Sequence, residues 1–134
     1  MTDSDYKKLI EYWLEGSRYD WDTFLSLKKT KRYGPALFFL HLSLEKKLKS
    51  VIVKKEKQHA PFSHNLVLLA GRTGIDIPKR VEKLLEEITK FNVESRYPDE
   101  RFEFYMNTTL KVVELWQAEV EKIKKWIDHA ETKQ

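Results

Sequence analysis

The sequence predicts an all-α protein, an up-and-down bundle of four main helices and one short helix in a single domain spanning residues 1–134. Three observations support this fold class. Apolar residues recur at steps of three and four along most of the chain, the spacing that places them on one helix face. Strict alternation of apolar and polar residues, which would indicate strands, is absent. Gly and Pro number only 4 each, so few positions interrupt a helix.

The two longest apolar patterns in the amino-terminal half predict the first two helices. The first begins at a cap near Asp3 and runs past Phe24. Its pattern stays in phase across Gly16 and Ser17, which predicts one continuous helix with a close approach to a neighbour at the two small residues. A Gly-Pro pair opens the second helix, because proline suits a first helical turn. Residues 36–44, "ALFFLHLSL", are apolar almost all round, so the second helix should be the most buried.

Three further helices follow. Ser63 is a plausible cap for a short helix over 66–70, and a fourth helix covers 81–91. The fourth helix should end before Tyr97, because a residue that precedes proline is pushed to extended geometry. The last helix has the most regular period, over 106–127.

Composition excludes several kinds of chemistry. The chain has no Cys, so disulfides, zinc–thiolate sites and cysteine nucleophiles are impossible. The amino terminus lacks the features of a secretory signal, and no apolar run approaches the roughly 18 residues of a membrane span. We therefore expect a cytoplasmic protein with no membrane partner.

The net charge of +4 is mild, and the basic clusters at 28–32 and 46–57 fit either phosphate contacts or, more simply, a solvated helix face.

Polar residues on the second helix form the first candidate site. His41, Glu45 and Lys49 are spaced by four, so they share one face, and Lys46 sits beside them. Glu45 and Lys49 could simply form a surface pair. His41 lies within the most apolar stretch and must find a hydrogen-bond partner, for which Glu45 is the natural choice. The residues leave two interpretations of His41 open, a structural histidine or a ligand contact.

The second candidate site is "ESRYPDE", residues 94–100. In a structural interpretation Pro98 ends one helix and Asp99 brings negative charge to the first turn of the next. Tyr97 then folds onto the core and Arg96 pairs with a carboxylate. In a functional interpretation Arg96 binds a phosphate or an acidic side chain, and Tyr97 offers a flat stacking surface.

Three motifs, in order, resemble the HEPN (higher eukaryotes and prokaryotes nucleotide-binding) domain family. They are "YGPALFFLHLSLEKKLKS" at 33–50, "FSHNL" at 62–66 and "SRYP" at 95–98. The matching positions are Tyr33, Ala36, Phe39, His41, Glu45, Lys46, Leu48, Lys49, His64, Asn65, Leu66, Arg96, Tyr97 and Pro98. The resemblance covers nearly the whole chain, and the helical bundle that it implies agrees with the periodicity.

The resemblance implies two possible functions. Some members of the family are metal-independent ribonucleases, often toxins paired with a minimal nucleotidyltransferase, and others bind nucleotides, RNA or proteins without catalysis. The ribonucleases use an arginine followed, after four to six residues, by a histidine. After Arg96 those positions hold Arg101, Phe102 and Glu103, and no other arginine has a histidine in that window. The ribonuclease motif is therefore absent, and the sequence favours a protein that is not an enzyme and has no catalytic residues.

We therefore expect a non-catalytic HEPN domain that binds a nucleotide or nucleic-acid phosphate and a partner protein. The partner implied by the family is a minimal nucleotidyltransferase in a two-component, toxin–antitoxin-like system. The alternative is a divergent metal-independent ribonuclease that uses His41 or His64. The candidate ligand-binding residues would frame one polar cleft if the 94–100 corner lies near the second helix. They are His41, Glu45, Lys46, Lys49, His64, Arg96, Tyr97 and Asp99.

Two further expectations concern metals and assembly. His59 and His64 are five residues apart with no nearby carboxylate, so we expect neither a metal site nor a cofactor. The last helix carries Val112, Leu115 and Trp126 away from its regular apolar stripe. Apolar surface on a second face commonly marks an interface, which predicts a homodimer.

Overall fold

The computed structural model describes residues 1–94 and 96–133, which leaves Ser95 and Gln134 outside the description. Its described part forms six α-helices and no strand, so the all-α prediction is confirmed. The helices are α1 (Asp3–Lys29), α2 (Tyr33–Glu56), α3 (Leu66–Arg72), α4 (Lys79–Thr89), α5 (Pro98–Asn107) and α6 (Leu110–Thr132).

The sequence predicts one last helix over 106–127, but this segment includes the end of α5, a break and most of α6. Thr108 and Thr109 separate them in extended conformations, with ψ angles of 128° and 162°. The Thr109 hydroxyl accepts a hydrogen bond from the Val112 backbone N–H and thereby caps α6. Apolar spacing did not reveal the break because Met106 and Leu110, one on either side of it, still keep a step of four.

Helix α1 is continuous across Gly16 and Ser17, as predicted. Its cap is Thr2 rather than Asp3. The Thr2 hydroxyl accepts a hydrogen bond from the Asp5 backbone N–H, and the Asp5 carboxylate accepts one from the Thr2 backbone N–H. The expected close approach also occurs. The Ser17 hydroxyl donates to the Ser43 carbonyl at 2.6 Å, and the Ser43 hydroxyl donates to the Ser17 carbonyl at 2.9 Å. This reciprocal pair fastens α1 to α2.

A three-residue link, 30–32, turns the chain from α1 into α2. Lys31 takes a left-handed conformation with φ 63°, and the Arg32 N–H bonds the Leu27 carbonyl at 2.8 Å. The link is too short to let the helices separate, so α1 and α2 form a helical hairpin.

Helix α2 is the centre of the core, as its sequence predicts. The apolar stripes of their helices predict buried positions for Leu44, Leu48, Leu85 and Val113, and all four are buried. The same stripes predict buried positions for Trp13, Trp21, Leu84 and Trp116, but these four residues are only partly buried. Helix α6 packs on α2 through Val113, Val120, Ile123 and Ile127, whereas α5 buries no residue. No helix among the described residues is both long and apolar enough to cross a membrane.

Candidate functional site

A buried carboxylate, that of Glu45, lies at the centre of the polar cluster on α2. Glu45 Oε1 is 2.9 Å from His64 Nδ1, and Glu45 Oε2 is 3.1 Å from Lys49 Nζ. Glu45 and Lys49 are 3% and 5% exposed, so the expectation of a surface pair was wrong. A carboxylate and an ammonium removed from water stabilise each other only if both are well bonded. Here Glu45 holds both its partners in place.

His41 is fully buried beneath this carboxylate. Its Nε2 lies 3.1 Å from the His64 carbonyl oxygen and 3.7 Å from Glu45 Oε1. The predicted Glu45 partner was therefore wrong, because the loop before α3 brings a backbone carbonyl closer. A carbonyl only accepts, so Nε2 carries the proton, and Nδ1 has no partner among the described residues. Burial lowers the pKa of His41, against the opposing effects of the His64 carbonyl and Glu45, and so favours the neutral ring.

The two candidate lysines on α2, Lys46 and Lys49, have different surroundings. Lys49 Nζ lies 5.1 Å from the centre of the Trp13 ring, so α1 covers the buried pair. Lys46 instead pairs with Asp20 of α1, with 2.7 Å between Nζ and Oδ2. Lys46 therefore fastens the α1–α2 hairpin, and the structure does not place it with the other three residues.

His64 is the exposed member of the cluster. Its side chain is 54% exposed, and its Nδ1–H donates to Glu45, so the neutral ring presents Nε2 as an acceptor. The next residue, Asn65, caps α3 by accepting from the Val67 and Leu68 backbone N–H groups. The predicted cap, Ser63, was wrong, although its hydroxyl accepts from the Asn65 N–H. His64 is consequently held from both sides, by its ring and by its backbone.

A polar cavity of about 430 Å³ opens beside His64. It is lined by His64, Asn65, Thr89, Asn92 and Glu94. The Thr89 hydroxyl accepts from the Leu66 N–H and donates to the Leu85 carbonyl, which ties the start of α3 to α4. Both asparagines use their side-chain oxygens on backbone N–H groups, so their NH₂ groups remain available as donors.

Phe62 lies beside His64, although it is not one of the residues that line the cavity. The residue is 99% exposed, and its ring centre lies 6.3 Å from that of His64. Phe62 was not among the site residues predicted from the sequence. The available signal was an aromatic residue in a polar, proline-containing loop, where no apolar partner stands at helical spacing.

The 94–100 corner is a helix start, as predicted. Tyr97 is extended, with φ −63° and ψ 150°, and Pro98 begins α5 with Asp99 in the first turn. The expectation that Tyr97 folds onto the core was wrong, since Tyr97 is 75% exposed. Asp99 is exposed as well. Ser95, within the same stretch, lies outside the described residues.

Arg96 lies in a different cavity from His64. Its Nη2 donates to the Lys90 carbonyl, which follows the last turn of α4, at 2.6 Å. Its guanidinium carbon lies 5.8 Å from the centre of the Phe104 ring. The cavity, of about 490 Å³, is also lined by Glu100 and Glu103, but no described carboxylate forms an ion pair with Arg96. The candidate residues therefore form two separate groups, with His41, Glu45, Lys49 and His64 together and Arg96 elsewhere.

Within the described ranges, no group of three or more His, Asp or Glu side chains is arranged to hold a metal ion. The chemistry available at the His64 cavity is instead that of hydrogen bonding and ring stacking. An imidazole and two amide groups line the cavity, and the Phe62 ring lies beside the His64 ring.

The comparisons with known proteins agree with this fold. The family model for the HEPN domain matches residues 10–132. A crystal structure of TT1696 from Thermus thermophilus is similar with a TM-score of 0.75 and 18% identity, over 90% of this chain and 97% of that one. No curated protein sequence matches. The similarity to TT1696 shows the fold alone, but the family model covers nearly the whole chain, and the protein belongs to the HEPN domain family.

Proposed function

We propose that this HEPN domain binds nucleotides or single-stranded RNA, without cleaving them, at the cavity beside His64. The observation that supports it best is the pairing of an exposed aromatic ring, Phe62, with an imidazole that a buried carboxylate holds in one orientation. Phe62 is 99% exposed, so both faces of its ring are available for stacking with a ligand.

The aromatic ring suits a nucleobase. Unpaired bases stack on aromatic side chains in most single-strand binding sites, at about 1–3 kcal/mol per base. Phe62 precedes His64 by two residues, so a base stacked on Phe62 would bring its sugar and phosphate close to the His64 ring.

Hydrogen-bonding groups line the cavity next to that ring. The NH₂ groups of Asn65 and Asn92 can donate to base or ribose oxygens, and Glu94 can accept from an exocyclic amine or a ribose hydroxyl. His64 can accept through Nε2 when neutral or donate to a phosphate when protonated. This mixture of donors and acceptors suits a base and ribose better than a bare phosphate.

The same cavity argues against catalysis. Cleavage of RNA needs a group that stabilises the charge of the phosphorane, usually an arginine or a lysine. Among the described residues that line the cavity, only His64 can carry a positive charge, and Arg96 lines a different cavity. The Glu45–His64 pair could still supply an acid or a base, so this observation keeps a divergent ribonuclease as the second candidate.

Fluorescence anisotropy with labelled single-stranded RNA tests the binding proposal. Phe62→Ala should weaken binding by roughly 5–150-fold, the range that corresponds to about 1–3 kcal/mol of stacking. Leu68→Ala is the matched control, because Leu68 is an exposed apolar residue, at 45%, on neighbouring α3. Equal affinity of wild type and Phe62→Ala would contradict the proposal.

A cleavage assay on the same RNA separates the two candidates. Binding without cleavage supports the module. Cleavage that disappears in His64→Ala, with the exposed His59→Ala as control, would favour the ribonuclease instead. Cleavage that survives His64→Ala and His41→Ala would come from a different site or a contaminant.

We also propose that the domain works in an assembly, as a homodimer and with a nucleotidyltransferase partner. Support for the dimer comes from α5 and α6, where several large apolar side chains are exposed. They are Phe102, Tyr105, Met106, Leu110, Val112 and Leu115. Trp126, the third residue expected at an interface, packs instead against the core. The partner is proposed from family membership alone.

A further inference from the structure

A lysine side chain borders a third cavity, on the side of the bundle where α1, α2 and α6 meet. Lys124 of α6 points across α2, where its Nζ donates to the Ser43 hydroxyl. The same Nζ lies 4.2 Å from the centre of the Trp21 ring. The cavity measures about 350 Å³ and is lined by Ser17, Arg18, Trp21, Asp22 and Lys124, so the Lys124 side chain borders a space that a small molecule can enter.

Lys124 lacks the close carboxylate partner that a buried ammonium ion normally has. Buried charges are normally paired with an opposite charge at hydrogen-bond distance. No described carboxylate lies within ion-pairing distance of Lys124 Nζ. The nearest acids have other partners or lie further away, since Asp20 pairs with Lys46 and Asp128 pairs with Lys47. The surrounding charged groups are Asp20, Arg18 and Asp22 of α1, Lys47 of α2, and Glu121 and Asp128 of α6.

These surroundings favour the neutral amine. Burial, followed by repulsion from Lys47, lowers the pKa of Lys124 to about 8, against the weaker opposing attraction of Asp128, Asp20 and Glu121. At about pH 7.5 roughly a quarter of such amines are neutral, compared with roughly one in a thousand for an ordinary lysine. Desolvation of this kind is the usual way in which a protein turns a lysine into a nucleophile.

We propose that Lys124 is a nucleophilic amine that condenses with small aldehydes in this cavity to form an imine. The neutral Nζ attacks the carbonyl carbon, a C–N bond forms, and the carbonyl electron pair moves to oxygen. One amine hydrogen moves as a proton to that oxygen to give a carbinolamine, which then loses its hydroxyl group and the remaining N–H hydrogen as one water, leaving a C=N bond. No oxidant or reductant takes part. The Trp21 ring provides a flat surface for an aromatic aldehyde, and the Ser43 hydroxyl holds Nζ in place beside that ring.

Trapping with an aromatic aldehyde tests the proposal on the wild-type protein. The chain is exposed briefly to salicylaldehyde at about pH 7.5, the imine is reduced with borohydride, and the modified lysine is located by peptide mass spectrometry. We expect Lys124 to be modified at least about tenfold faster than Lys125, an exposed neighbour on the same helix that serves as the internal control. The modification rate should rise with pH and level off above about 8.

Two results would overturn the proposal. One is modification spread over exposed lysines with Lys124 no faster than Lys125. The other is a rate at Lys124 that continues to rise to pH values typical of ordinary lysines. A variant, Lys125→Arg, should keep the modification at Lys124, whereas Lys124→Arg should lose the fast phase. Because the peptide map is made on the wild type, the result does not depend on the folding of either variant.

Discussion

Helices α2 and α5 meet at Gly34, yet they contribute to the molecule in opposite ways. Helix α2 is buried along most of its length and around most of its circumference, while α5 buries none of its residues and exposes Phe102 and Met106 at 64% and 67%. A polar residue on α2 must therefore find partners inside the protein. On α5, Phe104 packs against the core, whereas Phe102 and Met106 face outward. The difference shows that α2 defines the fold and the site, whereas α5 has surface available for another molecule.

The largest expected effect tests this difference directly. Leu48→Ala should reduce the free energy of unfolding by about 2–5 kcal/mol, because Leu48 is 1% exposed and its removal leaves a cavity. Phe102→Ala on α5 removes a larger side chain but should change stability by no more than about 0.5 kcal/mol. Urea denaturation of both variants measures the contrast. A loss at Phe102 as large as that at Leu48 would place α5 in the core.

The second prediction concerns the corner that leads into α5. Arg96→Ala should cost about 1–2 kcal/mol, since the Lys90 carbonyl loses a charged donor at a partly exposed position. Arg96→Lys should not restore the loss fully, because an ammonium cannot reproduce the planar guanidinium over Phe104.

Thermal unfolding and RNA anisotropy on the same Arg96 variants distinguish the two interpretations of this residue. A structural role lowers the melting temperature and leaves binding at the His64 cavity unchanged. Weakened binding at unchanged stability would instead make Arg96 a ligand anchor, although it lines a different cavity from His64.

The smallest expected effect on stability comes from the exposed apolar surface. Leu115→Glu should change the free energy of unfolding by no more than about 0.5 kcal/mol, because Leu115 is 55% exposed. The same change should convert a dimer to a monomer, since burying an unpaired carboxylate at an interface is costly. Light scattering at tens of micromolar compares the variant with wild type. A wild type of monomer mass would refute the dimer.

Sequence patterns predicted the features that depend on a single helix. The burial of Leu44 and the shared face of His41, Glu45 and Lys49 follow from a period of 3.6 residues alone. The partner of His41 could not be predicted in this way, because it is a backbone carbonyl in the loop before α3.

Features that depend on how several helices and loops pack together were missed, or were predicted only in part. The exposure of Phe62 depends on the path of its loop, and the surroundings of Lys124 depend on three helices meeting. Arg96 was recognised from its motif, but its cavity depends on where α5 lies relative to α4. Helical periodicity carries no information about such distances, so chemistry shared between elements emerged only from the structure.

The short link between α1 and α2 also has a consequence for the order of folding. Closing a three-residue link costs little chain entropy, so the hairpin can form before distant segments meet. The reciprocal Ser17–Ser43 hydrogen bonds then fix how far one helix can slide along the other. Helix α6, more than fifty residues further along the chain, docks on a surface that already exists. We therefore expect the folding nucleus in the first half of the chain, with α5 joining after the rate-limiting step.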